Sequence, residues 1–396
     1  MEELRLYYAM QAFERRRNRI LIDPRLKRDV RTFFGSVASA ESEGFQLLKR
    51  AADIAQINAA CESAASEGLG WLDGEHSLQL HTSMVKRLAP VLRAYIGCAT
   101  SLYGDVSSTD LIKVHIQSGK VSLMKFDDFE GSPVPRMLQR VKIKLREQDL
   151  DYFEYGGEYP SPPLYFKSRY INEEFVGFAE QLEFDTALEE LGVVESTGFG
   201  PSDADFAERI RLNRRRIVGM RLERADDVPP LDQRCGKVFS FRQLIHCGDT
   251  WQESRVENIP LRPESYNALY DLATNVLDPV VEYFGAIRIS YGFASPRLTR
   301  HISGRIDPRI DQHAACEINS RGTLICKRAG AAVDFIVEND NMREVMEWIA
   351  AHCAFDRMYF YGDARPLHVS FGPDASREIY EMTVRSGRRI PRRLEL

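Results

Sequence analysis

Gly330-Ala331-Ala332-Val333-Asp334-Phe335 and Leu367-His368-Val369-Ser370-Phe371 are the two segments on which the fold hinges. Each sets one metal-ligating side chain among apolar residues, as on a strand with buried neighbours. Val333, Phe335, Val369 and Phe371 bury such strands, and the small residues of 330–332 let backbone approach closely. Upstream, Asp311-Gln312-His313 adds an imidazole, and Tyr291-Gly292-Phe293-Ala294-Ser295-Pro296 follows the apolar run Ala286 to Ile289, as a strand entering a turn. Zinc takes imidazole and carboxylate ligands from rigid elements and keeps one position open for chemistry. His313, Asp334 and His368 are therefore candidate ligands of one zinc ion. By itself a His beside apolar residues is more often a hydrogen-bonded core histidine.

The 396 residues suffice for two or three domains, and a composition of 44% hydrophobic and 28% charged residues is that of a globular chain. No run reaches the roughly 18 apolar residues of a membrane helix, so no membrane partner is expected. Residues 1–19 lack the apolar core of a secretory signal, and the seven cysteines contain no CxxC pair. Both features lead us to expect a cytoplasmic protein with reduced thiols.

The expected fold class is α+β. Residues 1–105 read as a helical region, with Ala38 to Gly68 and Ser83 to Leu102 as its main helical stretches. Residues 106–225 read as a mixed domain, with strands at 111–116, 121–124 and 141–145, a turn at Ser118-Gly119-Lys120, and a helix from Phe175 to Leu191. Residues 226–237, bearing Pro229-Pro230, are expected to be a linker, 238–385 the metal-binding domain with an antiparallel sheet, and 386–396 a basic tail.

The C-terminal region resembles the zinc D-Ala-D-Ala carboxypeptidases and phage endolysins that share the hedgehog fold. Phe241-Arg242-Gln243-Leu244 resembles the family's opening segment, and Asn258-Ile259-Pro260 its N-x-P. Tyr291 to Pro296 resembles S-G-Y-R-S-P, Asp311 to His313 resembles S-Q-H, and Gly330 to Asp334 resembles G-x-A-x-D. Phe355-Asp356 and Leu367 to Ser370 resemble the closing F-D and W-I-H-V-S. The resemblance implies a hedgehog-like domain, a zinc cofactor and hydrolysis of a peptide-like substrate.

The departures bear on activity. Ala314 to Ala329, with a turn-forming Gly322, separates His313 from Asp334 more widely than in the family, and Lys327 stands at the family spacing instead. Ala294 stands where the family has a substrate-steadying arginine, leaving Arg297 as the substitute. No carboxylate directly precedes His368, so Asp363 is the candidate general base.

Residues 86–220 resemble the non-catalytic region of putative methyltransferases associated with DNA phosphorothioation. The resemblance is carried by Leu92 to Cys98, Leu102 to Asp105, Asp110 to His115, Phe126 to Phe129, Arg140 to Ile143 and Lys167 to Tyr170. It implies a role in a bacterial DNA-modification or phage-defence system, with DNA or other components of that system as partners. Lys113, Lys120, Lys142, Lys167 and Arg169, together with Arg214, Arg215 and Arg216, are candidate phosphate contacts; the alternative is an ordinary solvated face. Arg15-Arg16-Arg17 with Arg19, and Arg388-Arg389 with Arg392-Arg393, are further basic clusters, and Asp127, Asp128 and Glu130 form an acidic turn. Two other functions fit the same residues: an active cell-wall peptidase, and a non-catalytic binding module whose metal only holds the fold.

Overall fold

The computed structural model of the chain describes residues 1–14, 24–104, 108–195, 198, 200–302, 310–385 and 388–395. The fold class is α+β, in two compact units: Met1–Phe206 with Ile217–Leu222, and Ala207–Arg216 with Glu223–Leu396. The cluster Arg15 to Arg19 lies outside the described residues. Among the described residues, no helix is long and apolar enough to cross a membrane.

The first unit contains helices α1 (Glu2–Phe13), α2 (Pro24–Phe34), α3 (Val37–Ala51) and α4 (Ile54–Ser66), strands β1 (Trp71–Asp73) and β2 (Ser77–His81), and helix α5 (Pro90–Tyr103). Strands β3 (Leu111–His115), β4 (Lys120–Phe126), β5 (Met137–Lys144) and β6 (Asp149–Glu154) follow, then α6 (Phe178–Leu191) and the first turn of α7 (Asp203–Leu212), whose remainder belongs to the second unit. The six strands form an antiparallel meander in chain order. Alternation decides its faces. Ile112, Val114, Val121, Leu123, Val141 and Ile143 point to one side and share a core with Leu92, Ile96 and Ala99 of α5. Leu111, Met124 and Phe126 point to the other and pack with Phe129, Tyr170 and Ile171.

Residues 1–105 are therefore not a separate helical region. The short strands β1 and β2 were missed because they span only 71–73 and 77–81, and β2 donates Leu78 and Leu80 to the core shared with the middle residues. Ala38 to Gly68 is two helices: the Asp53 carboxylate accepts the Ala55 amide at 2.9 Å and starts the second. Ser83 to Leu102 begins as a 3-10 turn over Thr82–Arg87, and Pro90 opens the true helix.

The hairpin β7 (Arg215–Val218) and β8 (Arg221–Arg224) is divided between the units, its residues Ile217–Leu222 belonging to the first, and the second unit holds a two-stranded pair, β9 (Arg234–Cys235) and β10 (Phe239–Ser240). The helices α8 (Phe241–Ile245), α9 (Asp249–Ser254), α10 (Pro263–Leu272) and α11 (Asp278–Phe284) precede β11 (Ile287–Tyr291) and α12 (Pro296–Thr299). Then come β12 (Ala331–Val337), α13 (Met342–His352), β13 (Arg357–Phe360), β14 (Leu367–Phe371), β15 (Glu378–Arg385) and β16 (Arg388–Leu394). The large sheet runs β11-β12-β14-β13-β15-β16. It is mixed rather than wholly antiparallel, because β15 lies parallel to β13. Val333, Phe335, Leu367 and Val369 face a core built with Leu269, Leu272 and Val276.

Two expected boundaries need correction. Residues 226–237 are not a linker: Arg214 is wholly buried, and its guanidinium donates to the Asp227 carboxylate at 2.8 Å and to the Asn267 side chain at 2.9 Å. Cys235 is buried in the same core. The basic tail is a strand, because β16 pairs with β15 from Arg385↔Arg388 to Ile379↔Leu394.

Candidate metal centre

Three elements bring the expected ligands together. Asp334 on β12 and His368 on β14 are direct cross-strand partners, so the antiparallel register alone sets them side by side. His313 comes from a 3-10 turn, Gln312–Ala314, whose start is fixed by the Asp311 carboxylate accepting the His313 amide at 3.0 Å. His368 Nδ1 lies 2.8 Å from Asp334 Oδ1, His313 Nε2 lies 3.2 Å from His368 Nδ1, and His313 Nε2 lies 3.4 Å from Asp334 Oδ1. His313 and His368 are 3% and 4% exposed, while the Asp334 side chain keeps 26%, so one side of the group stays open.

The backbone selects the ligand atom of His313. Its Nδ1 lies 2.8 Å from the Gly292 carbonyl, which only accepts, so Nδ1 carries the proton and Nε2 presents a lone pair to the other two residues. Gly292 is required there: an added Cβ would overlap the Leu244 carbonyl oxygen and stand 2.9 Å from the Cys247 sulfur. The loop after it is pinned by buried Asn258, whose amide donates to Ile245 O and Phe293 O and accepts the Ser295 amide. Ala294 N donates to His313 O at 2.9 Å, completing a two-way tie between loop and histidine. From the far side, Gln312 donates to the buried Asp356 carboxylate at 2.8 Å, and Asp356 is held by Ser376.

The electrostatics match a cation site. Burial would lower the His313 pKa, but the carboxylates of Asp311 and Asp334 outweigh it and raise the net value. Burial likewise opposes ionisation of Asp334, yet the neighbouring His313 and His368 hold it well below the usual carboxylate range. Burial pushes the Cys247 thiol up to about 12, and Asp334 adds to that rise. Tyr291 packs its ring 4.2 Å from the His313 ring, and Tyr359 lies 5.2 Å from that of His368.

The donor set fits a metal. Tetrahedral ligands at about 2.0–2.1 Å from a common ion stand about 3.3–3.4 Å apart, which two of the three separations match. Two imidazoles and a carboxylate hold zinc and equally suit iron, cobalt or nickel. Among the described residues these three form the one His, Cys, Asp or Glu group close enough to hold a metal.

The remaining candidates are held in ion pairs of their own. Asp363 is 63% exposed and pairs with Arg343, whose guanidinium also holds Glu381. Arg297 is 69% exposed and pairs with Glu257. Neither makes a hydrogen bond or ion pair to His313, Asp334 or His368. Ala294, expected at the place of a substrate-steadying arginine, is 1% exposed. Lys327 is exposed, and His313 rather than Lys327 faces Asp334. Ile318 bridges Leu324 within the inserted residues, giving the small hairpin expected around Gly322.

Of the expected phosphate contacts, Lys167 and Arg214 are withdrawn. Lys167 is 0% exposed and donates to Phe129 O and Ser132 O, both at 2.6 Å. Arg214 is consumed by Asp227 and Asn267, and Arg216 by Asp226 and Glu223. Arg215 is half-buried beside Arg224, and Arg169 lies over the Trp71 and Phe166 rings. The acidic turn is structural: Asp127 accepts the Arg136 amide and Asp128 the Gly131 amide.

No local pattern marks Gly292 as tautomer setter, Tyr291 and Tyr359 as walls, or Cys247 as a neighbour of the site. Asp311 carried a signal, because an Asp two residues before a ligand is a turn-capping position. No protein-family model, curated protein or solved structure matches this chain.

Proposed function

We propose that the second unit is a zinc-binding, peptidase-like hydrolase domain with His313, Asp334 and His368 as its three protein ligands. The observation that carries the proposal is the meeting of three ligand atoms, from one turn and two strands, within 3.4 Å of one another on a partly open face. A zinc ion bound there supplies Lewis acidity, polarising a carbonyl and increasing the acidity of water at its open position. Gly292 holds the His313 proton on Nδ1, the cross-strand register sets Asp334 beside His368, and the Tyr291 and Tyr359 rings narrow the approach.

A second reading, in which the metal mainly holds the fold, is favoured by the exposed ion pairs that occupy Asp363 and Arg297. General acid–base help is worth roughly a hundred- to ten-thousandfold, so unless a carboxylate beyond the ligand Asp334 serves as base, amide hydrolysis is expected to be slow. The wider setting we propose is a bacterial DNA-modification or phage-defence system. It rests on the resemblance of residues 86–220 alone.

The test is release of D-alanine from peptides ending in D-Ala-D-Ala, using zinc-loaded full-length protein. The hydrolase reading expects slow release that disappears in His368→Ala. Stoichiometric zinc without release supports the fold-holding role, and release unaffected by His368→Ala overturns the hydrolase reading.

A further inference from the structure

We propose that the polar half of the first unit's sheet is a binding site for a phosphate group, held by Lys113, Lys120, Arg140 and Lys142, the four cations grouped around Ser122. This site belongs to the first unit and is independent of the metal-centre reading.

Strand register places these side chains. On the face opposite the helix-packed core, Leu111 and Met124 are covered by Tyr170 and Ile171, while the next two rows are polar. One row reads Lys113↔Ser122↔Lys142↔Asp151 across β3 to β6, and the next Ser77↔His115↔Lys120↔Lys144 across β2 to β5. Arg140 borders the first row and donates to Ser122 Oγ at 3.3 Å, and His115 Nε2 lies 3.0 Å from the same hydroxyl.

The charges do not balance on this face. Asp149 and Asp151 are both taken by Lys144, at 3.3 and 2.6 Å. Asp73, at the edge beyond Ser77, attracts Lys113 without reaching ion-pair distance. Lys113, Lys120, Arg140 and Lys142 are half-buried and make no ion pair among the described residues. Like charges on neighbouring strands repel, and an ordinary solvated face disperses them. Burial and this crowding lower the Lys113 and Lys142 pKa values and depress His115 to about 4, leaving His115 neutral at pH 7.

A phosphate group supplies both the negative charge and several acceptor oxygens. Phe153, 40% exposed and opposite Arg140 in the register, is placed to stack a base if the phosphate belongs to a nucleic acid.

The test titrates full-length protein with a labelled oligothymidylate and with inorganic pyrophosphate, alone and in competition. Saturable binding of either supports the site, and the tighter probe identifies the source of the phosphate. The double variant Lys113→Gln/Lys142→Gln should weaken binding at least tenfold while its circular dichroism is unchanged. Lys144→Gln, whose charge is already matched by carboxylates, should bind like wild type. Absence of binding by folded wild type at low salt, or equal binding by the double variant, overturns the proposal.

Discussion

Asp334 and His368 face each other directly across neighbouring antiparallel strands, with His368 Nδ1 2.8 Å from the Asp334 carboxylate. The pair therefore needs no loop to assemble it, since the same register that buries Val333 against Val369 also aligns the two ligands. His313 is the adjustable member. Its place depends on a short turn, the carbonyl of Gly292 and the Gln312–Asp356 contact.

Gly292→Ala tests the backbone side of this arrangement. The new Cβ overlaps the Leu244 carbonyl, so the strand end must shift and the His313 tie to Gly292 O must lengthen. Overpacking of this kind costs about 1–3 kcal/mol. A lower melting temperature together with weaker metal retention is expected; wild-type values for both would show that Gly292 does not position His313.

Asp356→Ala tests the opposite side. The buried carboxylate accepts hydrogen bonds from Gln312 and Ser376, and its loss strands both donors at a cost of about 1–3 kcal/mol. Metal affinity should fall about 10- to 100-fold, the range typical of groups that orient a ligand. Unchanged affinity in a destabilised protein would restrict Asp356 to a folding role.

Lys167 predicts a pH dependence in the first unit. Burial lowers its pKa from the ordinary 10.5 to about 8. Between those values the unfolded chain holds a proton that the folded chain has released, so stability rises with pH across that window. The rise attributable to this group is at most about 3 kcal/mol. Lys113 and Lys142 shift in the same direction, so the readout is the difference between wild type and Lys167→Met in urea midpoints across the window. Identical slopes would contradict the assignment.

Much of this was legible in the sequence because strand alternation and local ligand context are local signals. Ile112, Val114, Val121 and Leu123 alternate with polar residues, and the strands form where that pattern lies. The trio was a weak signal by itself, since a His or Asp beside apolar residues is usually a hydrogen-bonded core residue; the resemblance of the flanking segments grouped the three, and the structure brings their side chains together. Long-range pairing was not legible: no local pattern announces that β1 and β2 join the later strands, that β15 runs parallel to β13, or that Arg214 folds back on Asp227. Charged residues misled most, because Lys167 has the composition of a solvated face yet spends its ammonium on two buried carbonyls.

X-ray absorption at the zinc edge of reconstituted full-length protein tests the three-ligand claim most directly. A first shell of nitrogen and oxygen at about 2.0–2.1 Å, with outer scattering from two imidazoles that falls to one in His368→Ala, is the predicted result. A sulfur shell at about 2.3 Å, or no retained zinc, would contradict it.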